Sequence, residues 1–185
     1  MKKILTMALL TGFPALAEPC PPAADHSAAL DQLIAQAQAA GSAAEARPLL
    51  NGMWELWADA PDARSQTILD RGMSKRAVGD LAGALEAFEE LVAYCPQYAE
   101  GYNQRAFVRY LQLDFATALI DLDRALDLSP RHVAALSGKA LTLMGLSRLA
   151  EARDVFSEAL NLNPWLPERG LADPGGPLEP LGQDI

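Results

Sequence analysis

The 185-residue chain is poor in the residues that carry most covalent and metal chemistry, with two cysteines (Cys20, Cys95) and two histidines (His26, His132). No Cys-x-x-Cys pair occurs, and Cys95 stands before Pro96 at a helix end, where the helix dipole does not favour a thiolate. Neither histidine lies at metal-ligand spacing from a second ligand, so both are read as surface or loop residues. No glycine-rich phosphate loop follows a strand, because no strand pattern is present. His132 has no serine or aspartate at the spacing of a hydrolytic motif. Asp121, Asp123 and Asp127, at steps of two and four, describe a solvated helix face rather than an acid–base pair. The expectation is no enzyme, no metal and no cofactor.

Positive charge is also short: 15 Lys and Arg stand against 24 Asp and Glu, a net charge of −9. That balance argues against nucleic acid and anionic membrane surfaces as partners. Long apolar runs are absent beyond the start. Met1-Lys2-Lys3, the apolar run 4–16 and the ending Ala15-Leu16-Ala17 read as a bacterial export signal, residues 1–17, cleaved after Ala17. Gly12 and Pro14 interrupt a run already too short to span a bilayer. Losing Lys2 and Lys3 takes the charge from −9 to −11. The mature chain is expected to be periplasmic, with no membrane insertion. Cys20 is a poor lipidation site because Glu18 and Pro19 precede it.

What the chain has is a repeat. Ala84, Ala118 and Ala152 step by 34 residues, as do Pro96, Pro130 and Pro164. Further columns hold Phe88, Leu122 and Phe156; Leu91, Ala125 and Ala159; and Gly72, Ala106 and Ala140. Each unit fits two helices, at 66–78 and 82–94, 100–113 and 116–128, and 134–146 and 149–160, with small residues where helices cross.

The period and the small/small/aromatic/small/Pro columns resemble the tetratricopeptide repeat family. Residues 102–130, with Tyr102, Ala106, Ala118, Leu122, Ala125 and Pro130, carry the resemblance best. The family's usual Leu is replaced by Arg71, Arg105 and Lys139, and its usual Tyr by Lys75, Arg109 and Leu143. The resemblance implies an all-α, right-handed α-solenoid of about four helix–turn–helix pairs. Residues 18–26 form a Pro-rich arm, 27–64 a degenerate capping pair, 65–98, 99–132 and 133–166 three repeats, and 167–185 a flexible Pro/Gly-rich tail. Trp54 and Trp57 are expected to pack against Ile68 and Leu69, and Trp165 and Leu166 to fold over the last repeat. Left uncovered, the end around Val155 and Phe156 would be a docking or dimer surface.

In such a stack Cys20 and Cys95 share one edge of adjacent layers, roughly 10 Å apart, and an arm of five residues reaches about 15 Å. A structural disulfide is the favoured reading, beside two free thiols or a redox role. The basic column Arg71, Arg105 and Lys139 either pairs with acids on its own second helices, such as Glu86, Asp121 and Asp154, or forms a ladder along the stack.

Carried over by column, the family's concave face corresponds to Leu69, Met73, Arg76, Asn103, Phe107, Tyr110, Ser137, Leu141 and Met144. It suits an extended or helical peptide. Chaperone-binding members hold a peptide carboxylate with Lys and Asn at the positions of Leu69 and Met73, so capture of that kind is not expected. The resemblance thus implies a periplasmic interaction module, an adaptor or assembly factor, binding a protein or peptide partner. The alternatives are a self-associating dimer and an accessory factor for redox, cytochrome or envelope enzyme assembly.

Overall fold

The computed structural model describes residues 19–180. The export-signal reading and the last five residues of the tail lie outside the described residues. Within them eight α-helices form four hairpins: α1 (Ser27–Ala39) with α2 (Ala43–Trp57), α3 (Ala63–Ala77) with α4 (Leu81–Tyr94), α5 (Ala99–Leu111) with α6 (Phe115–Leu128), and α7 (Val133–Gly145) with α8 (Leu149–Leu162). A 3-10 turn at Arg169–Ala172 follows. The architecture is an all-α helical repeat fold.

Local chemistry sets the helix ends. Asp80 and Asp114, one period apart, cap α4 and α6 by accepting from the amides of Gly83 (2.9 Å) and Thr117 (3.4 Å). Arg148, the third member of that column, makes no cap and binds Glu151 instead. α3 starts in a capping box: Asp62 accepts from the Ser65 amide at 2.7 Å, and the Ser65 hydroxyl oxygen accepts from the Asp62 amide at 3.0 Å. The Ser65 amide and then the Tyr94 hydroxyl hold the Asp62 carboxyl below its ordinary range. Cys95, Ser129 and Asn163 leave the helical conformation because each precedes a proline. Gly79, Leu113 and Ser147, again one period apart, take the left-handed backbone that turns each first helix into its second.

α3 and α4 enclose Ile68, Leu69, Ala84, Phe88 and Leu91. Gly72 lies against Phe88 so closely that a Cβ would sit 2.4 Å from the ring. A smaller cluster of Ala106, Leu122, Ala125 and Ala135 joins α5, α6 and α7.

The first hairpin departs from the expected position. α1 packs against α8, while α2 has no extended packing with α3 or α4. Ile34, Ala37 and Met53 are buried with Val133, Leu136, Leu143 and Phe156 of the last repeat. Trp57 packs into that cluster, not the Ile68–Leu69 core, and its ring stacks on His132 with centroids 4.1 Å apart. Trp54 remains 44% exposed. The cause lies in α3, whose outer positions are polar (Arg64, Thr67, Asp70, Arg71, Ser74). Its apolar stripe is used up by α4, and α7 offers the unclaimed apolar surface.

Cys20 and Cys95 are joined by a disulfide, with Cα atoms 5.1 Å apart and a sequence separation of 75. Closing a loop of that size stabilises the fold by about 4 kcal/mol in the chain-entropy model. The tail also differs from the flexible segment expected. Leu166 and Leu178 are buried in the α7–α8 cluster, with Leu171 and Ala172 packed on it, and the Leu178 amide donates to the Leu171 carbonyl at 2.8 Å. Prolines and glycines forbid a long helix there, but they do not prevent spaced leucines from docking.

Candidate functional site: the concave face and the helix that crosses it

α3, α5 and α7 present the inner face of the repeats, and α2 crosses it. Between them lies a cleft of about 360 Å³. Six residues singled out by sequence line it: Arg76, Asn103, Phe107, Tyr110, Ser137 and Leu141. Three do not. Leu69 is fully buried in the α3–α4 core and Met73 packs on that core, because the two share the stripe that faces α4. Met144 packs against the α7–α8 cluster. The opposite wall, Leu50, Met53, Trp54 and Trp57, comes from α2. Its apolar pattern was visible in the sequence, but its assignment to the groove was not.

Beside this cleft runs a buried polar row. Glu100, 2% exposed, accepts from the Asn103 side-chain amide at 2.9 Å and from that of Gln104, whose carbonyl accepts from Arg76. His132 is not a surface residue: its Nδ1 accepts the Ala135 amide (3.3 Å), which leaves Nε2–H to donate to Glu100 (2.8 Å). Sequence reading missed Glu100 and Gln104, and His132 showed no sign of burial because its partner is 32 residues away. The Tyr98 hydroxyl donates to the Trp57 carbonyl at 2.8 Å, and burial, then Glu100, pushes that phenol upward. Burial lowers the Arg76 guanidinium, with the Glu100 carboxylate acting the opposite way. Arg76 also lies 4.7 Å over the Phe107 ring.

The basic column stands apart from the cleft. Arg105 binds Asp121 through two hydrogen bonds, 2.9 and 2.6 Å, and Arg109 adds a third at 2.7 Å. Asp121 is 1% exposed, so it does not belong to a solvated face. Arg71 reaches Glu90 rather than Glu86, and Lys139 reaches Asp123 of the preceding repeat rather than Asp154. These contacts join neighbouring helices and put no cation ladder along the groove.

No protein-family model matches the chain. It is 28% identical over 116 residues to a TPR repeat-containing protein of Rhizobium etli, covering 62% of this chain and 56% of that protein. To human tetratricopeptide repeat protein 36 it is 40% identical over 75 residues, 40% of each chain. The chain therefore spans about half, or less, of these relatives. Among solved structures, the first TPR of Spaghetti (RPAP3), bound to the HSP90 peptide SRMEEVD, superimposes with a TM-score of 0.57 at 21% identity, over 58% of this chain and 86% of that one. The Arabidopsis OM64 TPR domain gives 0.57 at 22% identity, over 60% and 91%. The fold is tetratricopeptide-repeat-like.

Proposed function

We propose that the chain is an exported interaction module, an adaptor or assembly factor of the bacterial envelope, that takes a segment of another protein in the cleft beside α2. The observation that carries this reading is the cleft itself, a concave apolar surface with a few polar groups at its margin, the usual chemistry of a binding site. Phe107 and Trp54, each 44% exposed, both line it and leave apolar ring surface open to a partner. Apolar side chains of the partner bury against Phe107, Tyr110, Leu141 and Trp54, each worth about 1.5–3 kcal/mol when fully covered. Arg76 and Asn103 fix orientation.

The neighbour bound to SRMEEVD supports peptide binding as a use of this fold. Export is supported by the basic and apolar start of the sequence, and by a disulfide of the kind that persists in oxidising compartments. The dimer alternative rested on an uncovered end at Phe156, and Leu166, Leu171 and Leu178 cover that end.

The test is a crosslinking capture of the mature protein from the envelope fraction of its own organism, beside the Phe107→Ala/Tyr110→Ala variant. The expected outcome is a protein captured by the wild type and reduced about tenfold or more with the variant, at unchanged helicity. Equal capture by both would overturn the cleft as the binding surface.

A further inference from the structure

The α1–α2 hairpin is fastened at both ends to one edge of the repeat stack. Its C-terminal end runs through residues 58–62 into α3, whose first turn meets the end of α4 where Tyr94 donates to Asp62 at 2.7 Å. Its N-terminal end is the Pro-rich arm, bonded through Cys20 to Cys95 immediately after α4. Six residues separate Cys20 from α1, a reach of about 19 Å even at polyproline extension. A hairpin held at two neighbouring points stays concentrated at the inner face; held at one point, it samples a larger volume and is displaced more easily.

The seam beneath it combines an apolar cluster with polar groups that a repeat–repeat core lacks. Ile34 and Ala37 of α1 are buried in the apolar cluster of the last repeat, and the polar contacts lie at its rim: Arg131 with Asp31, and the Gln38 amide donating to the Asn161 carbonyl at 2.7 Å. Under Trp57 lies the His132–Glu100 pair, charge-capable groups that gain water when uncovered. Trp57 Nε1, Thr142 Oγ1 and Asn163 Nδ2, all on residues lining the cleft, are buried without a hydrogen-bond partner among the described residues. A closed seam with unpartnered donors is penalised relative to an open one.

From this we infer that the α1–α2 hairpin is a displaceable ligand supplied by the chain to its own concave face, clasped there by the Cys20–Cys95 disulfide. Opening the clasp bares the α7 half of the groove to an amphipathic helix of a partner. The chemistry of that helix is given by the one it replaces: Leu50, Met53, Trp54 and Trp57 at steps of three, one and three. Opening is thiol–disulfide exchange with a dithiol, which attacks the part-exposed Cys20 sulfur while Cys95 is 2% exposed. The S–S bond breaks, two electrons and two protons pass to the cysteines, and the dithiol closes to its own disulfide.

The inference rests on the concave face of α3, α5 and α7 being the binding surface, with the α2 wall, Trp54 included, replaced by the partner's helix in the opened form, and its test separates the two. Hydrogen exchange is followed on the full mature chain oxidised, reduced with dithiothreitol, and as Cys20→Ser/Cys95→Ser. The expected result is exchange about tenfold faster or more in α1 and α2 for both opened forms, with α3–α6 little changed. Acceleration shared equally by all helices, or by none, would overturn the clasp while leaving the cleft reading intact. In parallel, a synthetic peptide of residues 42–60 is titrated against each form. Binding to the opened forms alone is expected; a released hairpin with no peptide binding would instead overturn the concave face as a site for helices.

Discussion

Gly72 sets the distance between α3 and α4 with a hydrogen where other residues carry a carbon. Phe88 is wholly buried and cannot swing aside from a Cβ at 2.4 Å. Gly72→Ala gains up to about 1 kcal/mol of helix propensity, but overpacking costs about 1–3 kcal/mol. The expected outcome is a net loss, read as a lower urea midpoint. Gly72 was legible in the sequence because it shares a column with Ala106 and Ala140. Leu113 was not. It takes φ 62° at a position where the preceding repeat has Gly79, with its side chain 73% exposed, so little packing compensates the strain. Leu113→Gly should therefore stabilise the protein by about 0.5–1 kcal/mol, left-handed strain exceeding the entropy cost of glycine. Thermal unfolding checks the sign. Backbone handedness leaves no mark on apolar periodicity, which is why the leucine drew no notice.

Between elements, the decisive polar contact is the carboxylate of Asp121 held by Arg105 and Arg109 across α5 and α6. The three groups are largely withdrawn from water, so removing the charge leaves two guanidiniums uncompensated. Asp121→Asn is expected to cost about 3 kcal/mol, whereas Glu90→Gln, which removes the half-exposed partner of Arg71, should cost no more than about 1 kcal/mol. Comparable losses from both in urea unfolding would refute the distinction. The sequence showed three cations at one repeat position, and the structure gives each a different kind of partner. The repeat carries backbone position from unit to unit but not the acids: Asp121 occupies the column of Ala87 and Val155, and Glu90 that of Arg124. Helix pairing was therefore readable from the columns, while the ion pairs depended on residues that do not repeat.

For the molecule as a whole, the long-range contacts hold the least legible information. Periodicity reports neighbours one unit apart, and the contacts that join the first hairpin to the last repeat span about a hundred residues with no period. The apolar stripe of α2 was plain; its destination on α7 depended on which distant face had apolar area unclaimed. The same holds for the tail, where Leu178 is 2% exposed in the cluster that includes Ile34, Met53 and Phe156. A segment that merely trailed from the last helix would tolerate truncation of this side chain without consequence. Because Leu178 instead closes a core shared by both ends of the chain, Leu178→Ala is expected to cost about 2–4 kcal/mol. The loss should appear as a lowered midpoint of unfolding, followed by circular dichroism in urea and by tryptophan fluorescence, to which Trp57 in that core contributes beside Trp54 and Trp165. Coincident shifts by both probes are the expected result, since the tail and the first hairpin stabilise one cluster; an unshifted midpoint would show that the tail is not part of the folded unit.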